Sequence, residues 1–275
     1  MRMRTLVHLS DLHFGHVDAQ IIDPLIKTVS EMRPDLVAVS GDLTQRARSW
    51  QFREARAFLD QLPQPQIIVP GNHDVPLHNV FARFLNPLVK YRRYITDNLQ
   101  PSYADEEIVV VGVNTARSLT IKGGRINQYQ VAHIREKLCG AGDEVVKAVV
   151  THHPFDLPEG YKDRELVGRA EMAMAGLADC GADLFLAGHL HMSHTGHTAE
   201  RYKIRGHSAL VVQAGTASST RGRGEANSFN VIRIDHPHIT VERMMWQPAS
   251  ASFAVATKEE FRHSSDGWLR LSDKP

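Results

Sequence analysis

Apolar positions along the first two thirds of the chain alternate between two kinds of spacing. The runs TLVHLS (Thr5–Ser10), DLVAVS (Asp35–Ser40), QIIVP (Gln66–Pro70), IVVVGVN (Ile108–Asn114), KAVVT (Lys147–Thr151) and DLFLAG (Asp183–Gly188) are short and nearly continuous, as buried strands are. Between them, Asp18–Met32, Ser49–Leu62, Gln130–Leu138 and Arg169–Cys180 carry apolar residues at helical intervals, the first with an Asp at its start. The stretch after Pro70, as far as Gln100, reads as mainly helical. Strand–helix repetition predicts crossover units and a largely parallel sheet. After Gly188 the pattern changes: ALVVQAG (Ala209–Gly215), FNVIRI (Phe229–Ile234) and ITVERMMW (Ile239–Trp246) follow one another with no helix between, which predicts a second, mixed or antiparallel sheet packed on the first. No linker or repeat interrupts residues 1–275, so a single domain is expected. The tail, about 250–275, is less patterned and is expected to cover an edge or a partner.

Composition narrows the field only a little. The 275 residues are 42% hydrophobic and 23% charged with a net charge of +1, an ordinary globular balance with no basic excess for a nucleic-acid duplex. Cys139 and Cys180 are too few for a disulfide framework and lack the close spacing of a zinc pair, so both are expected reduced. The N-terminal MRMRTLVHLSDLH has an apolar run too short for a signal peptide, and no segment reaches membrane-spanning length. A cytoplasmic protein is expected.

The informative feature is where the polar residues fall. Asp11 and His13 follow the first strand run, and Asp42 follows the second. Asn72, His73 and Asp74 follow the third, His152 and His153 a later one, and His189 and His191 the next. Parallel strands put their carboxyl ends on one side of the sheet, which is where open α/β sheets bind ligands. Residues spread over 180 positions therefore converge. Singly these elements are turns and caps: Asp-x-His is an ordinary N-cap, GNHD a tight turn, HHP a pre-proline turn. Together they form an oxygen and nitrogen donor set with no thiolate, suited to Zn, Mn, Fe, Co or Ni. The set is too large for one tetrahedral zinc. Two ions fit it, and a pair of metals is the arrangement used for hydrolytic displacement at phosphorus.

The series DLH, GD, GNHD, HH and GHLH, from Asp11 to His191, resembles the signature of calcineurin-like metallophosphoesterases, and within them the class III cyclic-nucleotide phosphodiesterase group. The resemblance implies a four-layer α/β-β/α sandwich, two mixed sheets flanked by helices, with a dinuclear metal site at strand carboxyl ends. It implies that Asp11, His13 and His191 hold one metal, that Asp42 bridges, and that Asn72, His152 and His189 hold the other. The ions are divalent Mn, Fe or Zn. Asn72 is also placed to turn toward the phosphate, and His73 to stabilise charge or protonate the leaving oxygen. Asp74 and His153 support their neighbours. The implied reaction is hydrolysis of a small phosphodiester, 3′,5′-cyclic nucleotides among the candidates, by a metal-bound hydroxide. The alternatives are a phosphomonoesterase or a nucleotide-linked pyrophosphate hydrolase on the same site. A lipid-linked version of the latter would need an exposed apolar cap, and the sequence shows no obvious one. A homodimer would fit, and no membrane partner is expected.

Other residues fit no slot of the pattern. His194 and His197 read as turn residues, His8 as a core histidine, and His16 and His78 as surface or rim. Arg221 and Arg223 read equally as a plain mobile loop or as residues that steer an anionic substrate. The segment Phe81–Tyr94, aromatic and basic, reads as either an amphipathic helix or a cap on the pocket.

Overall fold

In the computed structural model, residues 2–77, 80–120, 122–204, 207–221, 224–265 and 267–271 are described. The first half is built from β1 (Arg4–Leu9), α1 (Ala19–Glu31), β2 (Leu36–Val39), α2 (Ser49–Leu59), β3 (Gln66–Ile68), α3 (Val80–Leu85), α4 (Val89–Tyr94), β4 (Ser102–Ala104), β5 (Ile108–Gly112) and α5 (Gln128–Leu138). There follow β6 (Val146–Val150), α6 (Ala170–Ala178), β7 (Leu184–Ala187), β8 (His194–His197), α7 (Thr198–Arg201) and β9 (Leu210–Gln213). The chain ends in β10 (Ser228–Asp235), β11 (His238–Gln247), β12 (Ser252–Ser264) and β13 (Gly267–Leu271). Asp18 caps α1 by accepting from the Gln20 amide at 3.0 Å, so the Asp expected at that helix start does stop the first turn from fraying.

The strands form two mixed sheets, one ordered β13-β12-β11-β10-β1-β2-β3, the other β4-β5-β6-β7-β9-β8. Alternation along β1 and β2 explains the layering. Leu6, Leu36 and Ala38 face the second sheet and pack with Val110, Ala148, Val150, Leu186 and Val212. Val7, Leu9, Val37 and Val39 face out and are covered by Ile21 and Leu25 of α1 and Phe52 of α2. On the far side, Val111, Val149 and Phe185 are covered by Val131 and Ile134 of α5 and Met174 of α6. The result is the expected α/β-β/α sandwich. Register sets the site: Leu9 is level with Val39, and Val39 with Ile68. In the other sheet Val150 is level with Leu186 and Ala187 with Gln213. The polar loops after β1, β2, β3, β6 and β7 therefore leave from one edge of the sandwich.

Four expectations are corrected. The strands after Gly188 make no sheet of their own: β8 and β9 join the β4–β7 sheet, and β10–β13 extend the β1–β3 sheet. Antiparallel pairing of β10 with β1 is what makes the first sheet mixed. The tail is two strands, and Trp268 of β13 is buried in the layer between the sheets. Between β3 and β4 the described residues hold one three-residue 3-10 turn, Asn72–Asp74, and two α-helices, α3 and α4, of six residues each, so the stretch is not mainly helical. The cysteines are joined: Cys139 caps α5 and Cys180 follows α6, and the packing of these two helices leaves their Cα atoms 4.4 Å apart in a disulfide. Reduced cysteines thus give no support to a cytoplasmic location. No helix among the described residues is long and apolar enough to cross a membrane.

Candidate metal centre

The loops converge as the strand register requires. Asp11, His13, Asp42 and His191 offer ligand atoms within 4.8 Å of one another, and so do His152, His153 and His189; all seven are buried. In the first group, His13 Nε2 lies 3.1 Å from His191 Nε2, and Asp11 Oδ1 lies 3.2 Å from His191 Nε2 and 3.6 Å from His13 Nε2. Asp11 Oδ1 is buried and has no hydrogen-bond partner, while Oδ2 accepts from Ser10 Oγ at 2.6 Å and the His189 amide at 2.9 Å. One carboxylate oxygen is thus anchored and the other is left facing two imidazole nitrogens. A bare pair of lone-pair donors with a carboxylate oxygen is a cradle for a cation.

The second group centres on Asn72, whose Oδ1 lies 3.1 Å from His152 Nε2 and 3.0 Å from His189 Nδ1. His152 turns its other nitrogen to the Ser40 carbonyl at 2.8 Å, and His189 turns its own to Glu165 Oε2 at 3.3 Å. Those outer contacts fix the outer N–H of each ring and aim the inner nitrogen at the cluster, where a metal ion would take the place of a proton. His153 differs, because both of its ring nitrogens are occupied: Nδ1 by the Thr115 hydroxyl at 2.8 Å and Nε2 by the Lys122 carbonyl at 2.9 Å. Asp42 lies between the groups, with Oδ1 3.4 Å from His152 Nε2 and Oδ2 3.8 Å from His13 Nε2. The two clusters fit a pair of divalent ions.

Electrostatics agree with that donor set. Burial opposes ionisation of Asp11, yet His191, His13 and His152 hold its carboxyl well below the usual range. Burial likewise opposes ionisation of Asp42, and His152, His73 and His13 overcome it. His152 is desolvated, but Asp42 beside it raises it to about 9. Burial lowers His13 and His189. The carboxylates are therefore charged, and the cluster draws in positive charge to balance them.

A family model described as calcineurin-like phosphoesterase matches residues 4–193, which contain every one of these residues. The chain belongs to the calcineurin-like phosphoesterases. It is 30% identical over 168 residues to glycerophosphodiester phosphodiesterase GpdQ of Enterobacter lignolyticus (strain SCF1), covering 56% of this chain and 58% of that protein. It therefore spans little more than half the length of that relative. It is 27% identical over 259 residues to cAMP/cGMP dual specificity phosphodiesterase MT0825 of Mycobacterium tuberculosis (strain CDC 1551 / Oshkosh), covering 83% of this chain and 75% of that protein. The fold is similar to that of purple acid phosphatase PPD1 from yellow lupin (Lupinus luteus) seeds, with a TM-score of 0.72 at 12% identity over 94% of this chain and 53% of that one.

The other residues singled out in the sequence surround the clusters. Asp74 accepts from the Gly71 and Leu43 amides at 2.9 and 3.1 Å, and from the amide and hydroxyl of Thr44, both at 2.9 Å. It buckles the loop after β3 to the loop after β2. Burial and the charge of Asp42 push it up to about 7, against the pull of those bonds. The His73 amide donates to Asp42 Oδ1 at 2.8 Å. The His73 ring donates from Nδ1 to the Gln45 carbonyl at 2.9 Å, and its Nε2 accepts from Arg221 Nη1 at 3.2 Å. Sequence reasoning missed Glu165, Ser10, Thr115 and Gln45. Ser10 directly precedes Asp11, so its position carried some signal, whereas Glu165 sits in a long loop after β6 with no motif around it. His194 and His197 lie on β8, half-buried and away from the turn expected for them. His16 faces Thr220 at the surface, and His8 is buried. His78 and Arg223 lie outside the described residues. Leu77 borders the mouth, and Phe81, Phe84 and Leu85 of α3 are exposed, as is Leu119.

Proposed function

We propose that this chain is a metal-dependent hydrolase of small phosphodiesters, with 3′,5′-cyclic nucleotides among its candidate substrates. The position of Asp42 carries the reading: one carboxylate presents an oxygen to each of two buried ligand clusters. We assign Asp11, His13, His191 and Asp42 Oδ2 to one ion, and Asp42 Oδ1, Asn72, His152 and His189 to the other. Bound there, two divalent ions would supply an activated water and offset the charge that builds on the phosphoryl oxygens. The chain's own part is to orient. Ser40 and Glu165 fix the ring tautomers of His152 and His189, and Ser10 fixes Asp11. His153, with both nitrogens occupied, holds a neighbouring loop and takes no ligand role. His73 is placed on the leaving-group side in this reading; to give a proton to a departing oxygen from Nε2 it must first release Arg221 and take up a proton at that nitrogen.

Diesters are favoured over monoesters on charge. Two divalent ions less Asp11 and Asp42 leave two positive charges, and a hydroxide and a diester monoanion offset these together. A monoester dianion would bind more tightly and leave more slowly. Both curated relatives are named as phosphodiesterases, which supports the same choice. The test is a panel of cyclic AMP, bis(p-nitrophenyl) phosphate and p-nitrophenyl phosphate after chelation and Mn²⁺ reconstitution. Chelation should abolish diester hydrolysis and Mn²⁺ should restore it. Asp42→Ala should lower bound metal more than any other single Asp change. Full activity in metal-free protein, or a kcat/KM for the monoester well above that for the diesters, would overturn the reading.

A further inference from the structure

Above the clusters the mouth opens into a cleft of about 200 Å³ whose walls include Gln45, Arg46, His73, Leu77, Lys122 and Arg221. Its wall carries three cations and no carboxylate. Glu165, a carboxylate close enough to feel Lys122, is already bonded to His189. Two of the cations are placed by histidines in or beside the clusters. The Arg221 carbonyl faces His191 Nδ1 at 3.3 Å, and the Lys122 carbonyl faces His153 Nε2 at 2.9 Å. A ring that builds the centre and a ring packed beside it thus pin the backbone of the two cationic residues over it. Arg221 Nη1 spends its protons on two neutral acceptors, Gln45 Oε1 and His73 Nε2, both at 3.2 Å. Among the described residues its guanidinium has no anionic partner within salt-bridge distance, and its Nε and Nη2 make no hydrogen bond. A guanidinium held by neutral groups in a carboxylate-free cleft is arranged for an incoming anion, bidentate where the anion is a carboxylate or phosphate.

The scissile diester carries one negative charge, and the centre below already answers it. We propose that Arg221 and Lys122 form a second anion subsite beside the metal centre, and that the preferred substrates are diesters whose alcohol portion carries a further carboxylate or phosphate group. The inference rests on the phosphodiesterase reading and narrows it. A singly charged cyclic nucleotide would rank below such a doubly charged diester.

A matched pair of ligands isolates the subsite. Ethyl methylphosphonate and 2-carboxyethyl methylphosphonate share the phosphoryl monoanion and differ by one carboxylate; their p-nitrophenyl phosphate counterparts, ethyl and 2-carboxyethyl p-nitrophenyl phosphate, are the hydrolysable pair. In Mn²⁺-loaded wild type, calorimetry should give at least tenfold tighter binding of the carboxyethyl phosphonate, and kcat/KM should favour the carboxyethyl ester by a similar ratio. Arg221→Ala should bring both ratios to near one, and Lys122→Ala, at an exposed position, should reduce them several-fold. Raising salt should shrink the wild-type ratios, because the subsite acts through charge. A wild-type ratio near one with both esters hydrolysed overturns the subsite and leaves the phosphodiesterase reading intact. A ratio that survives the Arg221→Ala, Lys122→Ala double variant also overturns it. No hydrolysis of either ester by metal-loaded wild type overturns the phosphodiesterase reading and the subsite with it.

Discussion

Asp11, His13, Asp42, His189 and His191 all have left-handed backbone, with φ between 51° and 74°. Non-glycine residues adopt that region at a cost, less for Asp and His than for most, and such residues gather at functional sites. Here the cost turns five side chains inward from loops that would otherwise splay. Two glycines allow the loops to meet: a Cβ at Gly71 would overlap the Asp42 carboxylate, and one at Gly188 would overlap Ser10 and Asp11. Gly71→Ala should therefore displace Asp42 and lose bound metal and activity; metal analysis showing full occupancy would refute that. Glu165 makes a subtler case. Its carboxylate is the charged partner of His189, so Glu165→Gln should weaken Mn²⁺ binding by about 10–100-fold while the fold is kept. A titration giving wild-type affinity would assign the contact no role. At this scale the sequence was legible where a residue followed a strand directly, as Asp11, Asp42, Asn72, His152 and His189 do. It was opaque where a residue reached in from a loop, as Glu165 and Gln45 do. Gly71 and Gly188 owe their places to the close approach of another loop, which exists only in three dimensions.

At the scale of elements, the parallel strands and the helices α1, α2, α5 and α6 were legible because each buries an apolar run or stripe. The C-terminal strands were not. Residues 254–258 of β12 are exposed, so the strand offers no clean alternation to read. What holds that hairpin is Trp268, 1% exposed, whose indole donates to Asp183 Oδ1 at 2.8 Å and whose amide donates to the Ser208 carbonyl at 2.9 Å. It ties the edge of one sheet to the other. Trp268→Ala should cost about 3–5 kcal/mol, the range for emptying a large aromatic site, and urea unfolding would read it. A loss under 1 kcal/mol would mean the hairpin contributes little to the core. The disulfide is a second tie across elements. Its span of 41 residues makes reduction worth about 2–4 kcal/mol through the freedom returned to the unfolded chain. A melting temperature indifferent to reductant would show the α5–α6 contact standing without it.

The whole molecule is two sheets closed face to face, and His8 is an ionisable group on the inner face of β1. His8 lies in β1 on the same face as Leu6, fully buried, with Nε2 2.9 Å from Ser40 Oγ and no partner for Nδ1. Burial lowers it to about 3, only partly resisted by Asp11. The unfolded chain takes that proton near pH 6.5, where the folded protein refuses it. Stability from this group is therefore complete above pH 6.5, falls as pH drops toward 3, and is constant below that. At pH 4.5 the loss is about 2–3 kcal/mol. Asp11 and Asp42, held below the usual range, push in the same direction but titrate lower, so their loss comes mainly at more acid pH. A difference measurement separates the two. In chelated protein, His8→Gln cannot charge, so its stability should fall less than the wild type's between pH 7 and pH 4.5, by that same amount. Whatever Gln costs in packing applies at both pH values and cancels in the difference. Parallel acid profiles for wild type and variant would show that His8 finds its proton, or a water, within the folded core.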